Sequence, residues 1–399
     1  MKQIYLDYAA TTPLDPSVRR AMEPFLATHF GNPSSLHRFG QAALRAIDEA
    51  RTVIANSLEV TFREIVFTSG ATEANNLAIR GAVKHALAYK KKGPLKIITS
   101  AIEHESVLET CRDLEPDTIE IAIIPVNREG FIDLEKLKAS LDDQTVLVSV
   151  MYANNEIGTV QPLKEISDAI QIFKSKHSPP QSPYPLFHAD AAQAFNYLDC
   201  RPTNLGVDLL TLSAHKIYGP KGMGTLYLKH DPKKNWLPVT ATTTGGGQER
   251  NLRSGTENVA AIVGFAEAVK VTISGQFKET ARIRKLRDYL WKRLRMIVPE
   301  LILHGPLENR LPNNLSIGWP GVKGEELLIY LDLNGIAASS GSACNVRAAE
   351  PSHVLQALGY SAEKAREGLR ISLGRLTTKA EIDKLCGMVL KLKNKWKIS

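Results

Sequence analysis

The chain has 399 residues, of which 43% are hydrophobic and 23% are charged. That is too long for one small core; it suits a large unit of two lobes with ordinary soluble globular composition. The formal net charge of +8 is spread thinly, with clusters at Lys90–Lys92 and Lys391–Lys397; no stripe of aromatic residues interleaves with the basic ones, which argues against a nucleic-acid interface and leaves room for docking an acidic protein partner.

No apolar run approaches the ~20 residues of a bilayer span. The opening MKQIYLDYAATTP has neither an apolar signal core nor an Arg/Ser-rich transit character, so the expected location is cytoplasmic. From residue 60 to 230, short β-rich runs alternate with helical stretches. The runs are Ile65–Thr68, Lys96–Thr99, Ile121–Val126, Val146–Met151, Pro185–His188, Leu209–Ser213 and Gly224–Leu228. Several are apolar without alternation, as strands buried on both faces are. Helical patterns at Thr72–Tyr89 and Pro162–Lys176 lie between them. The alternation predicts an α/β large domain over residues 21–257, with a mainly parallel seven-stranded sheet and ligands at the strands' carboxyl ends. The Pro-rich stretch at 176–185 reads as a surface loop. Residues 258–399 read as a smaller α+β domain. It opens with a bridging helix over 258–298 and continues with strands at Asn314–Trp319 and Leu369–Leu373 and helices at Glu325–Asn334 and Thr378–Lys393. Residues 1–20 are assigned as a segment packing on that smaller domain.

Four strand ends carry residues with chemistry. Ser69–Asn75 (SGATEAN) ends one strand and opens a helix; Gly70 permits a tight turn, and free amides at Ala71 and Thr72 would hold a phosphate. Capping alone also accounts for Thr72–Glu73. His104, in AIEHES, follows the next strand and can stack on a flat ring or serve structurally. Asp190, in FHADAAQ, can meet a protonated pyridine nitrogen, or cap the helix that follows; Gln193 lies one turn on. Asp208–Gly224 (DLLTLSAHKIYGPKGMG) places Ser213, His215 and Lys216 at a strand end. Desolvation there lowers an amine's pKa and makes it a nucleophile toward an aldehyde, so Lys216 is a candidate for an imine with pyridoxal 5'-phosphate (PLP).

The cysteines are Cys111, Cys200, Cys344 and Cys386. None forms a CxxC pair, so neither a metal site nor a disulfide scaffold is expected. Cys111 and Cys386 lie in helical patterns and Cys200 in YLDCRP, all readable as packing. Cys344 ends IAASSGSAC, a polar Ser/Gly loop that can move and be solvated, as a reactive thiol requires.

SGATEANN, EHESV, NNEIGTVQP, HADAAQ, SAHKIYGPKG, GGGQERNLRSGTEN and SSGSAC occur in the order found in cysteine desulfurases. LDYAATTPLDP and GNPSSLHRFG match as well, so the resemblance covers nearly the whole chain. The sequence is similar to the NifS- and IscS-like branch of this family, whose members are class V aminotransferase-like PLP enzymes of fold type I. The resemblance implies that Lys216 binds PLP, His104 stacks on its ring, Asp190 meets the pyridine nitrogen and Gln193 the ring oxygen. It places Asn155 beside ring and substrate, and Arg370, in LRISLGR, on the substrate carboxylate in preference to Arg375. It assigns the phosphate to Ala71, Thr72, Ser213 and His215, with Thr256 contributed by a second subunit of a homodimer. Asn345, Val346 and Arg347 depart from the small hydroxyl residues common after the family's cysteine, which leaves the acceptor open.

The implied reaction takes sulfur from L-cysteine, leaves L-alanine and loads a persulfide on Cys344, with Lys216 and His104 moving protons. An iron–sulfur scaffold protein or a tRNA-thiolation carrier is the implied acceptor. Two other readings stand beside it: a selenocysteine or cyst(e)ine C–S lyase, and a non-catalytic partner protein with a PLP fold. Turnover with each substrate and the presence of a bound chromophore discriminate among the three.

Overall fold

In the computed structural model, residues 3–90, 94–115, 119–179, 182–230, 237–340 and 350–396 are described. After a short strand β1 (Ile4–Tyr5) come β2 (Ile65–Thr68), β3 (Leu95–Ser100), β4 (Ile119–Ile124), β5 (Thr145–Ser149), β6 (Leu186–Asp190), β7 (Leu209–Ser213) and β8 (Gly224–Leu228). Strands β2 to β8 form one sheet in the order β2-β8-β7-β6-β5-β3-β4. Every pairing from β7 to β4 is parallel, and only β8 runs against its neighbours. The mainly parallel seven-stranded sheet read from the sequence is therefore present. Strands β2, β3, β5, β6, β7 and β8 are buried along their whole length, which is why their sequences are apolar without alternation.

The strand ends deviate from the sequence reading for local reasons. The run expected at Ile121–Val126 forms at Ile119–Ile124, because Pro125 has no N–H for the ladder. The run expected at Val146–Met151 is assigned to Thr145–Ser149, although Val150 and Tyr152 still donate to the His188 and Asp190 carbonyls of β6. The helices expected at Thr72–Tyr89 and Pro162–Lys176 run Ala71–Lys90 and Leu163–His177.

Beyond the sheet, a single helix runs from Val259 to Ile297. By length and composition it is able to cross a bilayer, contrary to the sequence expectation that no segment is. More than half of its most apolar window is buried inside the molecule, as in the core helix of a folded domain. Strands β9 (Ile302–Leu303), β10 (Asn314–Gly318) and β12 (Gly368–Ser372) form a second, antiparallel sheet in the order β12-β10-β9. β1 pairs in parallel with β11 (Ile336–Ala337), and the Leu6 carbonyl accepts from the Ser372 amide. The first residues are thus stitched to this second unit, and residues 9–12 are carried on to the large sheet.

Candidate active site

β2, β3, β5, β6 and β7 all point their carboxyl ends at one cavity of about 560 Å³, where ligands of such sheets gather. β7 ends at Ser213, and a single 3-10 turn, Ala214–Lys216, swings the lysine into this cavity. The Lys216 Nζ donates to the carbonyls of Ala9, 2.6 Å, and Ala10, 2.8 Å. Asp190 is the last residue of β6 and is 6% exposed. Its Oδ1 accepts from the Ala192 amide at 2.9 Å and its Oδ2 from Asn75 Nδ2 at 2.8 Å. Gln193, on the turn that follows, donates to the Ala9 carbonyl.

The turn after β2 brings Gly70, at φ 152°, directly over β8. A Cβ on Gly224 would lie 2.6 Å from the Gly70 carbonyl carbon, so that close approach requires glycine at 224. The helix then starts at Ala71, whose first-turn amides have no intrahelical acceptor and line the cavity with Thr72. The Ser213 hydroxyl beside them is buried and has no hydrogen-bond partner among the described residues. His215 contacts Thr11 Oγ1 through Nδ1 at 3.1 Å; burial, and then the charges of Lys216 and Lys221, push its imidazole down to about 4. Orphaned donors at a helix N-terminus fit a phosphate.

His104 caps the helix Glu105–Leu114. Burial holds its pKa below the usual histidine range. Glu103, fully buried beneath it, bridges β3 and β5 by accepting from Ser100 Oγ and the Met151 amide, and burial pushes it up to about 8. Arg370, on β12, is 1% exposed and lines the cavity floor. Its Nη2 pairs with Asp7 at 2.9 Å and its Nη1 donates to the Asn155 carbonyl at 3.1 Å, while Nε has no partner among the described residues. Arg375 is committed elsewhere: it lies over the Tyr218 ring and donates to Thr272.

Lys216, Asp190, Gln193, His104, Asn155, Ala71, Thr72, Ser213, His215 and Arg370 are thus brought together. Thr256 is not: it is exposed and does not line the cavity of its own chain. Its loop is anchored upstream, where the Glu249 carboxylate takes both terminal nitrogens of Arg51, at 2.6 and 2.7 Å, and the Phe67 amide. Cys344, with Asn345, Val346 and Arg347, lies outside the described residues. Cys111, Cys200 and Cys386 are buried, and burial pushes all three thiols up, Cys111 to about 12 and Cys386 to about 11.

Sequence reasoning gave no role to several residues found here. Ala9, Ala10 and Thr11 reach the cavity from the far end of the chain, and Asp7, Asn75, Ser106, Glu156 and His353 sit on or behind its wall. Most of them fall inside quoted motifs, Asp7 to Thr11 in LDYAATTP, Asn75 in SGATEANN, Ser106 in EHESV and Glu156 in NNEIGTVQP; His353 lies in none, and only folding shows what each of them touches.

A family profile described as "Aminotransferase class-V" matches residues 4–385. A protein of Dictyoglomus turgidum named "Cysteine desulfurase IscS" is 44% identical, over all of this chain and 99% of its own. Among solved structures, a "NIFS-LIKE PROTEIN" superposes with a TM-score of 0.88 at 34% identity, covering 98% of this chain and 100% of its own. A "NifS-like protein from Rickettsia africae ESF-5" superposes with a TM-score of 0.83 at 32% identity, covering 99% of this chain and 100% of its own.

Proposed function

The chain belongs to the class-V aminotransferase family, and we infer that it is a cysteine desulfurase, a PLP-dependent enzyme that converts L-cysteine to L-alanine and retains the sulfur on a thiol of its own. The observation that carries this reading is the convergence of Lys216, Asp190 and the open helix N-terminus at Ala71 on one cavity. The residues fit PLP: a phosphate answers the orphaned Ser213 hydroxyl and the free amides, and the Asp190 carboxylate suits a protonated pyridine nitrogen.

When bound, PLP supplies an electron sink that acidifies the substrate's Cα proton and opens its sulfur to attack. Lys216 takes that proton. The Ala9 and Ala10 carbonyls give the resulting ammonium two acceptors, so the charge is stabilised where it forms. Arg370 holds the substrate carboxylate through donors left over from Asp7 and Asn155. The Cys344 thiolate attacks the substrate sulfur. An S–S bond forms as the C–S bond breaks, the electron pair stays with the carbon fragment, and protons returned to Cβ and Cα complete alanine. Serine and glycine before Cys344 suit a thiol that must travel between this cavity and an acceptor.

The working form in this proposal is a homodimer, with Thr256 completing the neighbour's phosphate site and an iron–sulfur scaffold or thiolation carrier receiving the persulfide. The exposure of Thr256 supports this, as does an apolar face at Phe30, Leu36 and Phe39, which are 73%, 91% and 58% exposed. Mass spectrometry after mixing with L-cysteine tests the chemistry. One added sulfur on the Cys344 peptide is expected; alanine formed with no added sulfur on Cys344 at any time, in the absence of reductant, refutes it. Mixing Lys216→Ala and Thr256→Ala chains tests the shared site, because one of the two sites in the mixed dimer then carries neither lesion. Activity that never exceeds that of the parents removes the shared-site assignment.

A further inference from the structure

Behind the cavity wall, four side chains form one hydrogen-bonded chain whose polarity can be read donor by donor. The Asn75 amide is fully buried, and its Nδ2 spends one hydrogen on Asp190 Oδ2 at 2.8 Å and the other on Ser106 Oγ at 2.9 Å. Ser106 Oγ, having accepted, has its own hydrogen left to give, and 2.8 Å away lies His104 Nδ1. The Ser106 backbone amide also points at that nitrogen, at 3.1 Å, and a backbone amide can only donate. The second bond is the N-cap of the helix Glu105–Leu114, so the start of that helix itself demands an acceptor at Nδ1. Two donors on Nδ1 leave no place there for a proton.

We propose that Asn75 and Ser106 are positioning residues of this site, holding His104 as the tautomer protonated on Nε2 and so presenting a hydrogen-bond donor to the cavity. The inference rests on the proposed reaction only for the identity of what fills the cavity. The same chain ties the ring to Asp190 at one remove, since the Asn75 amide donates to both Asp190 and Ser106, and Ser106 meets the ring. The charged and titratable groups facing His104 are Asp190 from β6, Lys216 from the turn after β7, Glu105 from its own helix and His353 from the helix His353–Ala357. Asp190 and Glu105 favour a ring proton while Lys216 and His353 oppose it. Asn75 is therefore a second reason, besides the pyridine nitrogen, for a carboxylate at 190.

The test is nitrogen NMR of the protein labelled with 15N-histidine, loaded with PLP and stripped of it, with the His104 signals identified by their loss in His104→Asn. A neutral ring carrying its proton on Nε2 at neutral pH, titrating below the usual histidine range, is expected in both forms. Ser106→Ala is expected to raise the imidazolium fraction of His104 at a given pH by roughly tenfold, the worth of one hydrogen bond, and Ser106→Thr, which keeps Oγ, to restore the native spectrum. An Nδ1–H or imidazolium signal in the native protein at neutral pH overturns the inference, as do identical titrations for Ser106→Ala and Ser106→Thr. If either variant fails to fold, the native tautomer alone decides. The readout needs no turnover, so a correct tautomer without alanine formation sinks the proposed reaction and leaves this inference standing.

Discussion

Replacing Glu249 by alanine tests how the loop that carries Thr256 is held. The side chains of Glu249 and Arg51 are 2% and 7% exposed. The pair is bidentate, Glu249 also accepts from the Phe67 amide at 3.0 Å, and the Arg51 guanidinium lies 4.6 Å from the Phe67 ring centroid. Glu249, Arg250 and Asn251 all adopt left-handed backbone, with φ of 48°, 58° and 64°. Such residues cost roughly 1–2 kcal/mol each unless their surroundings compel them. Glu249→Ala strips Arg51 of its partner inside the protein, with Arg250 nearby as a like charge. Breaking a buried pair on one side costs about 3–5 kcal/mol. Urea denaturation of the PLP-free protein, compared with the parent, reads that loss without ligand linkage. The double change Arg51→Met with Glu249→Leu is expected to recover most of it, because no charge is then left unpaired. Lys164→Ala, which opens an exposed pair one helical turn apart, is the control and is expected to lose about 0.5 kcal/mol or less. A loss below about 1 kcal/mol for Glu249→Ala, or a double variant no better than the single, refutes the reasoning.

Cys344→Ser is expected to bind PLP and show the cysteine-induced spectral change while releasing almost no alanine, whereas Ser at Cys111, Cys200 or Cys386 leaves turnover near the parent's; near-normal turnover by Cys344→Ser signals direct elimination instead. Arg370→Ala is expected to raise the KM for cysteine by roughly 10–100-fold, the worth of a charge-assisted hydrogen bond, in steady-state assays of alanine formation. Acid stability follows from His188, His215 and His304, whose imidazoles burial pushes down to about 4. Between about pH 6.5 and 4 the unfolded chain binds more protons at these sites, so they remove stability as pH falls through that window. Glu103, raised to about 8, acts oppositely and costs stability as pH rises from about 4.5 to 8. Thermal melts across pH are expected to show Glu103→Gln gaining stability at pH 8 but not at pH 5, and the reverse pattern refutes the assignment.

Much of this protein was legible from local sequence. Strands buried on both faces advertise themselves as apolar runs, so β7 and β8 were located residue for residue, and a strand end followed by a small-residue turn marks where a side chain is delivered. Lys216, Asp190 and the turn at Gly70 were visible for that reason; Cys344, picked out by the polar stretch IAASSGSAC, lies outside the described residues. Strand ends such as that of β4 slipped by two residues, because hydrophobicity says little about where a proline ends a ladder. The core character of the Val259–Ile297 helix also depends on burial, which composition does not encode. What only the tertiary structure decided is which groups touch. Lys216 rests on the carbonyls of Ala9 and Ala10, more than 200 positions away, and Arg370 on Asp7 across 363. Backbone carbonyls carry no sequence signature, and although LDYAATTP stands out as a motif, nothing local says that its aspartate meets Arg370. The Asp190–Asn75–Ser106–His104 chain draws on three separate strand ends, and its hydrogen-bond polarity exists only once the sheet has brought them within 3 Å of one another.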